Sequence, residues 1–116
     1  MDADRRQYPR FATSVPVGLR FPSGLTREGW GRILDLSAGG LVMETRFPMK
    51  VASVVYVTFA LHDGAHFDNL RARVIRVTYE EGYYVAGIAF DDVVDTETLR
   101  DVIAALAFEG GIPLSR

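Results

Sequence analysis

Alternation of apolar and polar residues along the chain predicts a protein built mainly of short β-strands. Between Thr13 and Phe21 roughly every second residue is apolar, and the same period of two returns between Leu70 and Tyr79. This alternation is typical of strands with one buried face. The other segments of strand composition are about Gly29 to Leu36, Leu41 to Thr45, Val54 to Leu61 and Tyr83 to Phe90. Six strands without crossover helices predict a small antiparallel barrel or sandwich.

Individual positions on these strands carry further expectations. The residues expected to face the core are Val15, Val17, Leu19 and Phe21 on the first strand, and Leu70, Ala72, Val74 and, after a register adjustment, Val77 on the fifth. Pro16 favours an edge position or a bulge. The β-branched and aromatic run from Val54 to Leu61 predicts a well-buried strand. Trp30 is expected to pack in the core or at the barrel rim, because large aromatic side chains are usually buried.

One segment near the end of the chain has the period of an α-helix. Its apolar residues stand at i, i+3, i+4 and i+7, and they are Leu99, Val102, Ile103 and Leu106. Asp95 or Thr96 supplies a capping side chain, and Gly110 follows the segment. The pattern predicts an amphipathic helix over 95–109 that covers one mouth of the sheet or barrel.

Length and composition fit one globular domain. The chain has 116 residues, of which 48% are hydrophobic and 24% charged, so it can bury a core. The expected organisation is an N-terminal flexible arm over 1–12, a barrel over 13–94 and the helix over 95–109. The sequence contains neither an apolar run of membrane-spanning length nor the apolar core of a signal peptide, so a cytoplasmic protein is expected.

Charge is distributed unevenly along the chain. The formal net charge of -2 argues against a general polyanion binder. Arg5, Arg6 and Arg10 nevertheless crowd the start, which leaves a local anion site open as an interpretation of this segment. Seven carboxylates lie between positions 80 and 101: Glu80, Glu81, Asp91, Asp92, Asp95, Glu97 and Asp101.

Residues suited to catalysis or metal binding are sparse. The chain has no cysteine, which excludes disulfides, thiolate metal sites and cysteine nucleophiles. His62 and His66 flank a predicted turn with Asp63 and Asp68 nearby; this grouping can hold a metal ion, but we favour two surface histidines in a loop. No nucleophile elbow, His-Glu-x-x-His motif or P-loop is present. We therefore expect no enzyme activity, metal or cofactor.

Two arginines four residues apart form the first candidate binding motif. Arg6 and Arg10 lie in a segment that Pro9 keeps from being a regular helix, with Tyr8 and Phe11 between and beside them. A guanidinium donates two parallel hydrogen bonds to a phosphate or a guanine edge and stacks on bases. The pattern suits a nucleotide ligand, although the arm by itself is better explained as a solvated basic terminus.

The second candidate motif is Asp-Leu-Ser-Ala-Gly-Gly at 35–40, between two predicted strands. Asp35 can accept from a pair of N–H groups, and Ser37 can donate or accept. A glycine at position 40 lets a ligand approach the backbone or permits a positive φ. By itself this segment is typical of a tight turn. The presence of both motifs in this order makes a binding site the better interpretation.

The two motifs together resemble the signature of the PilZ domain family, the bacterial receptor module for the second messenger cyclic di-GMP (c-di-GMP). The matching residues are Arg6, Arg10, Asp35, Ser37 and Gly40. Residues 31–41 are similar to the central block of the family, and 84–90 to its last strand. The resemblance implies a six-stranded antiparallel β-barrel with a C-terminal helix.

The resemblance also implies a role for each matching residue. Arg6 and Arg10 would clamp the phosphates and guanine Hoogsteen edges of c-di-GMP, while Asp35 and Ser37 would bind guanine N–H groups and neighbouring polar atoms. Gly40 would leave room for the base. Three further candidates for the same site are Gly39, Arg32, which faces either the site or solvent, and Arg5, which either stacks a second, intercalated ligand molecule or serves solubility.

The function implied is that of a receptor that binds c-di-GMP with its arm and passes the signal in trans to a partner protein. The output would be motility, exopolysaccharide, pilus assembly or gene expression. The first alternative is a PilZ-like adaptor that binds a protein partner without c-di-GMP. The second is a small-barrel binder of single-stranded nucleic acid, which the acidic C-terminal third opposes.

Overall fold

The computed structural model describes residues 10–22, 28–61, 64, 66–91 and 101, and these residues form six β-strands. The strands are β1 (Arg10–Arg20), β2 (Glu28–Ser37), β3 (Gly40–Thr45), β4 (Val54–Ala60), β5 (His66–Glu80) and β6 (Tyr83–Phe90). The predicted number of strands is confirmed. In this described part of the chain, no helix is long and apolar enough to cross a membrane.

The six strands close into a barrel in the order β1-β2-β3-β6-β5-β4. Every neighbouring pair is antiparallel, and the barrel closes where Gly18 to Arg20 of β1 pair with Thr58 to Tyr56 of β4. Of the two architectures that the alternation predicts, the structure is therefore the barrel.

Apolar side chains from all six strands fill the barrel interior. The predicted inward residues of β1, namely Val15, Val17 and Leu19, are buried, whereas Phe21 is half-buried and packs against the rest of the core. On β5, Leu70, Ala72 and Val74 are buried as predicted. The pairing of β5 with β6 shifts register between Val74 and Arg76, and Val77 then packs against the core. Alternation therefore located the buried face of both strands correctly.

Three boundaries differ from the sequence expectation because cross-strand pairing lengthens the strands. β1 begins at Arg10 instead of Thr13, since 10–12 pair with 35–37 of β2. The predicted break at 35–40 is shorter, because Asp35 to Ser37 continue β2 and only Ala38 and Gly39 form the turn. β5 begins at His66, four residues before the predicted Leu70.

The well-buried strand predicted over Val54 to Leu61 is β4, and the structure shows which of its two faces is buried. Its burial alternates: Val55, Val57 and Phe59 are buried, while Val54, Tyr56 and Thr58 are half-buried. A strand of a closed barrel has one face toward the interior and one toward the outside, so a continuous apolar sequence does not make both faces internal.

Trp30 is also placed differently from the expectation, since it is 68% exposed. Gly18 pairs with Trp30, and the neighbouring pair is Val17 with Gly31. Because Val17 is fully buried and side chains alternate between faces, Trp30 must point outward. Strand register overrides the general tendency of large aromatic residues to be buried.

Pro16 lies on the outer face of β1 close to an irregularity in the pairing. It is exposed and pairs with Arg32, and the register of β1 against β2 shifts between Ala12 and Val15. The predicted helix over 95–109 lies outside the described residues, apart from Asp101, and stays a prediction.

Candidate ligand site at the β2–β3 hairpin

The hairpin between β2 and β3 is held by a serine hydroxyl. Ser37 pairs with Gly40 across the two-residue turn. The Ser37 hydroxyl donates to the Gly40 carbonyl at 3.3 Å and accepts from the Gly39 N–H at 3.2 Å. The Gly39 carbonyl in turn accepts from the Phe90 N–H at 3.0 Å. Ser37 therefore shapes the turn, and the turn is fastened to the end of β6.

Gly40 lies where β3 approaches β6 most closely. A Cβ atom at this position would overlap the Ile88 carbonyl oxygen and would come within 3.2 Å of the Ala89 Cα. The glycines with positive φ in the described part of the chain are Gly64 and Gly82. Gly40 is not among them, and the group that approaches its backbone closely is the neighbouring strand β6, which differs from both reasons considered for a glycine at this position.

Asp35 is a buried carboxylate, with 9% of its surface exposed. It pairs with Ala12 of β1 and Val42 of β3, next to a register shift between Ile33 and Asp35. The following residue, Leu36, belongs to the interior core, so alternation puts Asp35 on the outer face of the barrel. The irregularity at Leu34 turns this carboxylate to the outside of the barrel near the hairpin.

The start of β1 lies directly beside this hairpin. Arg10 pairs with Ser37, and Ala12 pairs with Asp35. The second arginine of the Arg-x-x-x-Arg motif and the Asp-x-Ser-x-x-Gly motif therefore meet at one end of the barrel, although they are 25 residues apart in sequence. Arg5 and Arg6 lie outside the described residues. The position of Arg10 is given by its backbone pairing with Ser37.

Arg32 lies on the same strand as Asp35 but further from the turn. Its side chain is exposed, and its Nη1 donates to the Ser14 hydroxyl at 2.9 Å across the β1–β2 pair. Arg32 therefore lies on the outer surface of the barrel. Among the sequence candidates, the structure thus groups Asp35, Ser37, Gly39 and Gly40 with the backbone of Arg10.

A group of arginines on the outer face was not singled out from the sequence. Arg71 and Arg73 of β5 both lie near the Asp91 carboxylate, at 3.3 Å and 3.7 Å. The Arg20 guanidinium lies 4.3 Å from the centre of the Tyr56 ring. The signal that could have located Arg71 and Arg73 is their spacing of two on an alternating strand, which puts both on one face. They add positive charge beside the end of β6.

The histidine grouping considered as a metal site is only partly described. His66 and Asp68 are exposed on β5, whereas His62 and Asp63 lie outside the described residues. Within the described ranges, no three side chains of His, Cys, Asp or Glu lie close enough together to hold a metal ion.

These observations define a class of protein. It is a small antiparallel β-barrel with a polar hairpin beside the start of β1. Comparison with protein families identifies it further, because the family model described as "PilZ domain" matches residues 4–109. The chain belongs to the PilZ domain family, as the sequence motifs indicated. No curated protein matches the chain by sequence.

Solved structures show the same fold at low sequence identity. The inhibitor of motility MotI/DgrA of Bacillus subtilis superimposes with a TM-score of 0.73 at 15% identity, over 90% of this chain and 52% of that one. The K. pneumonia MrkH–c-di-GMP complex superimposes with a TM-score of 0.72 at 20% identity, over 90% of this chain and 52% of that one. The PilZ domain of YcgR from Escherichia coli, solved with c-di-GMP, superimposes with a TM-score of 0.69 at 16% identity, over 90% of this chain and 93% of that one. This chain thus spans about half the length of MotI/DgrA and of MrkH.

Proposed function

We propose that this protein is a receptor for c-di-GMP and that the ligand binds on the outer face of the barrel at the β2–β3 hairpin. The observation that carries the proposal is the β1–β2 register, in which Arg10 stands opposite Ser37 and Ala12 opposite Asp35. This register supports the proposal because it brings Arg10 of the first motif beside Asp35 and Ser37 of the second. The MrkH complex and the YcgR PilZ domain, both solved with c-di-GMP, support the choice of ligand.

The chemistry of c-di-GMP suits the residue types at this position. The ligand carries two phosphates and two guanines, and guanidinium groups bind both phosphates and the O6 and N7 acceptors of guanine. We assign these contacts to Arg6 and Arg10. Asp35 supplies a carboxylate for the guanine N–H donors, because an ionised carboxylate only accepts hydrogen bonds.

The hydrogen bonds of the turn narrow the role of Ser37. Its hydroxyl has one proton, which it donates to the Gly40 carbonyl. The oxygen retains a lone pair, so Ser37 can accept a hydrogen bond from the ligand while it holds the turn. Gly39 and Gly40 form the other side of the turn and add no side chain to the surface there.

Arg5 and Arg32 extend the proposed site in two directions. A guanidinium at position 5 offers a flat cation for stacking on a guanine, which would favour a second, intercalated ligand molecule. Arg32 is held by Ser14 on the outer face of β2, where it would contact the part of the ligand furthest from the turn.

Binding would act on a partner protein through a change in the barrel surface. The negative ligand would draw Arg6 and Arg10 onto the outer face and order the arm against β2. A partner that recognises this surface would then distinguish the bound state from the free state. The output classes are motility, exopolysaccharide, pilus assembly and gene expression.

The test is isothermal titration calorimetry of the full chain with c-di-GMP. Arg6→Ala and Arg10→Ala should each lose on the order of 2 to 4 kcal/mol, or roughly 30-fold to 1,000-fold in affinity, because each removes a charge-assisted contact. Arg46→Ala is the matched control, since Arg46 is an exposed arginine just beyond β3, near the opposite end from the hairpin. The Arg5→Ala variant reports on stoichiometry, which should fall from two ligands per chain to one.

Absence of heat at high ligand concentration, from a protein shown to be folded, would contradict the proposal. The PilZ-like adaptor would then be the better account. Deletion of residues 1–9 separates the two functions, because an adaptor keeps its protein partner without the arm and a receptor loses its ligand response. Equal affinity of Arg10→Ala and Arg46→Ala would refute the assigned site.

A further inference from the structure

The last third of β5 has an open edge. β4 pairs with β5 only as far as Arg73, and Ala52 and Ser53 extend this pairing to Val74. Beyond that point, from Ile75 to Glu80, none of the described residues pairs with this edge of β5. The segment is also accessible, with Ile75 54% and Tyr79 66% exposed. We define residues 75–80 as the β5 edge.

The hairpin geometry determines which backbone groups point outward from the β5 edge. Glu80 pairs with Tyr83 across a two-residue turn, so this is a hydrogen-bonded pair. Hydrogen-bonded and non-hydrogen-bonded pairs alternate along antiparallel strands, so Thr78 and Arg76 also bond to β6. The N–H and C=O groups of Val77 and Tyr79 therefore point toward the open side. They form a short row of donors and acceptors that another strand can pair with.

We propose that a second copy of this chain occupies the β5 edge. The two edges would pair antiparallel around a two-fold axis at Thr78 and join two barrels into one symmetric dimer. A two-fold axis is the usual symmetry of a homodimer, and it requires the edge to be complementary to itself.

The sequence of the β5 edge has this complementarity. With the axis at Thr78, Val77 bonds to Tyr79 of the second copy through both backbone groups, and the symmetric pair doubles these bonds. Arg76 of each copy then stands opposite Glu80 of the other, which gives two such charge pairs. Thr78 stands opposite Thr78 of the second copy. Opposite charges, an aromatic beside a β-branched residue and a threonine pair are the cross-strand combinations that stabilise antiparallel sheets.

Other registers lose these advantages. A shift by one residue would set Val77 and Tyr79 opposite residues of the second copy whose N–H and C=O groups point toward their own β6, so the backbone hydrogen bonds would be lost. A shift by two residues puts Thr78 opposite Arg76 or Glu80 and separates both charge pairs. At its N-terminal end the β5 edge is limited by the register shift between Val74 and Arg76. Only the register centred on Thr78 therefore satisfies the backbone and the side chains together.

An aromatic pair of one exposed and one half-buried tyrosine lies on the same face of this segment as Val77. The Tyr79 ring packs against the Tyr84 ring at 5.1 Å between centroids, and Tyr79 nevertheless keeps most of its surface exposed. In the proposed dimer, Val77 of the second copy lies beside Tyr79 and covers part of this surface. On the outer face the Arg76 side chain lies over Gly87 and would turn toward the edge to reach Glu80 of the second copy.

Cysteine cross-linking of the full chain tests the axis position. The chain has no cysteine, so Thr78→Cys introduces a single thiol. A non-hydrogen-bonded pair has Cα atoms about 4.5 Å apart, which lies within the range for a disulfide. Arg76→Cys is the matched control on the same strand face. Its two copies would be about 14 Å apart, because the proposed register offsets them by four residues.

We expect mild oxidation to convert Thr78→Cys to a disulfide dimer and to leave Arg76→Cys monomeric. Equal cross-linking of both variants, or none of Thr78→Cys, would overturn the proposal. Sedimentation equilibrium without cysteines gives the second readout. Arg76→Glu should raise the dissociation constant of the dimer about tenfold, and adding Glu80→Arg should restore it.

The control for charge is Lys50→Glu, which changes the net charge by the same amount at an exposed position in the loop after β3. It should leave the dimer unchanged. A wild-type protein that stays monomeric at every concentration, or a double variant that fails to recover, would refute the β5 edge as the interface. None of these readouts requires c-di-GMP, so the dimer and the receptor function are tested separately.

Discussion

Gly40→Ala isolates the close approach of β3 to β6. The added methyl would overlap the Ile88 carbonyl oxygen and would lie 3.1 Å from the Ile88 carbonyl carbon and 3.2 Å from the Ala89 Cα. All three atoms belong to the backbone of β6, which cannot rotate away as a flexible side chain can. The substitution therefore has to move one strand away from the other at the hairpin.

The expected cost follows from this geometry. Overpacking a well-filled site costs about 1 to 3 kcal/mol, and a clash with three backbone atoms of β6 should reach the upper end, about 3 kcal/mol. For a protein of this length, 1 kcal/mol corresponds to about 4 °C in Tm, so the melting temperature should fall by about 12 °C. The loss should appear without any ligand, since it comes from the strand pairing itself.

The assay is thermal unfolding followed by circular dichroism, with Gly18→Ala as the matched control. Gly18 is also a strand glycine, but a Cβ there would meet its nearest atom, the Thr58 carbonyl oxygen, at 3.8 Å, which is an ordinary contact. The control should be neutral or stabilising by up to about 1 kcal/mol, because alanine restricts the unfolded chain. If Gly40→Ala melts at the temperature of the wild type, the reasoning from close approach is refuted.

Two further substitutions test the core and the predicted helix. The buried Thr45 hydroxyl donates to the Trp30 carbonyl and accepts from the Phe47 N–H at 3.2 Å, so Thr45→Val should cost about 1 to 3 kcal/mol in urea unfolding. Thr45→Ser retains the hydroxyl and should recover much of this loss; equal destabilisation by both would contradict the role of the hydroxyl. Leu106→Ala should destabilise by about 2 to 5 kcal/mol if the predicted helix covers the core. Unchanged melting would exclude that covering role.

Local alternation predicted which residues face the interior. A strand in a barrel has one face toward solvent and one toward the interior. Val17 and Val74 could therefore be assigned to the interior from the alternation of apolar and polar residues alone. The register adjustment near Val77 was visible for the same reason, since the alternation breaks there in the sequence. The two candidate motifs were visible because their residue types and order are specific, and the family that they indicated is the one whose model matches the chain.

Trp30 shows where residue type alone misleads. Its exposure follows from its pairing with Gly18 and from the burial of the next pair, Val17 with Gly31. Tryptophan side chains are usually buried, but the register of a strand against its neighbours decides which face of the sheet a residue lies on. The same holds for the outer surface of β4, where an apolar sequence lies partly exposed.

The number of strands, their buried faces and the two candidate motifs could be predicted from the amino-acid sequence, because these features depend on residues close together in the chain. The fold was needed to show that β3 lies beside β6, that the Ile88 backbone leaves no room for a side chain at Gly40, and that Arg10 stands opposite Ser37. It also showed that none of the described residues pairs with the β5 edge. These features depend on contacts between distant strands, and a periodic pattern specifies which face of a strand is buried but not which strand lies beside it.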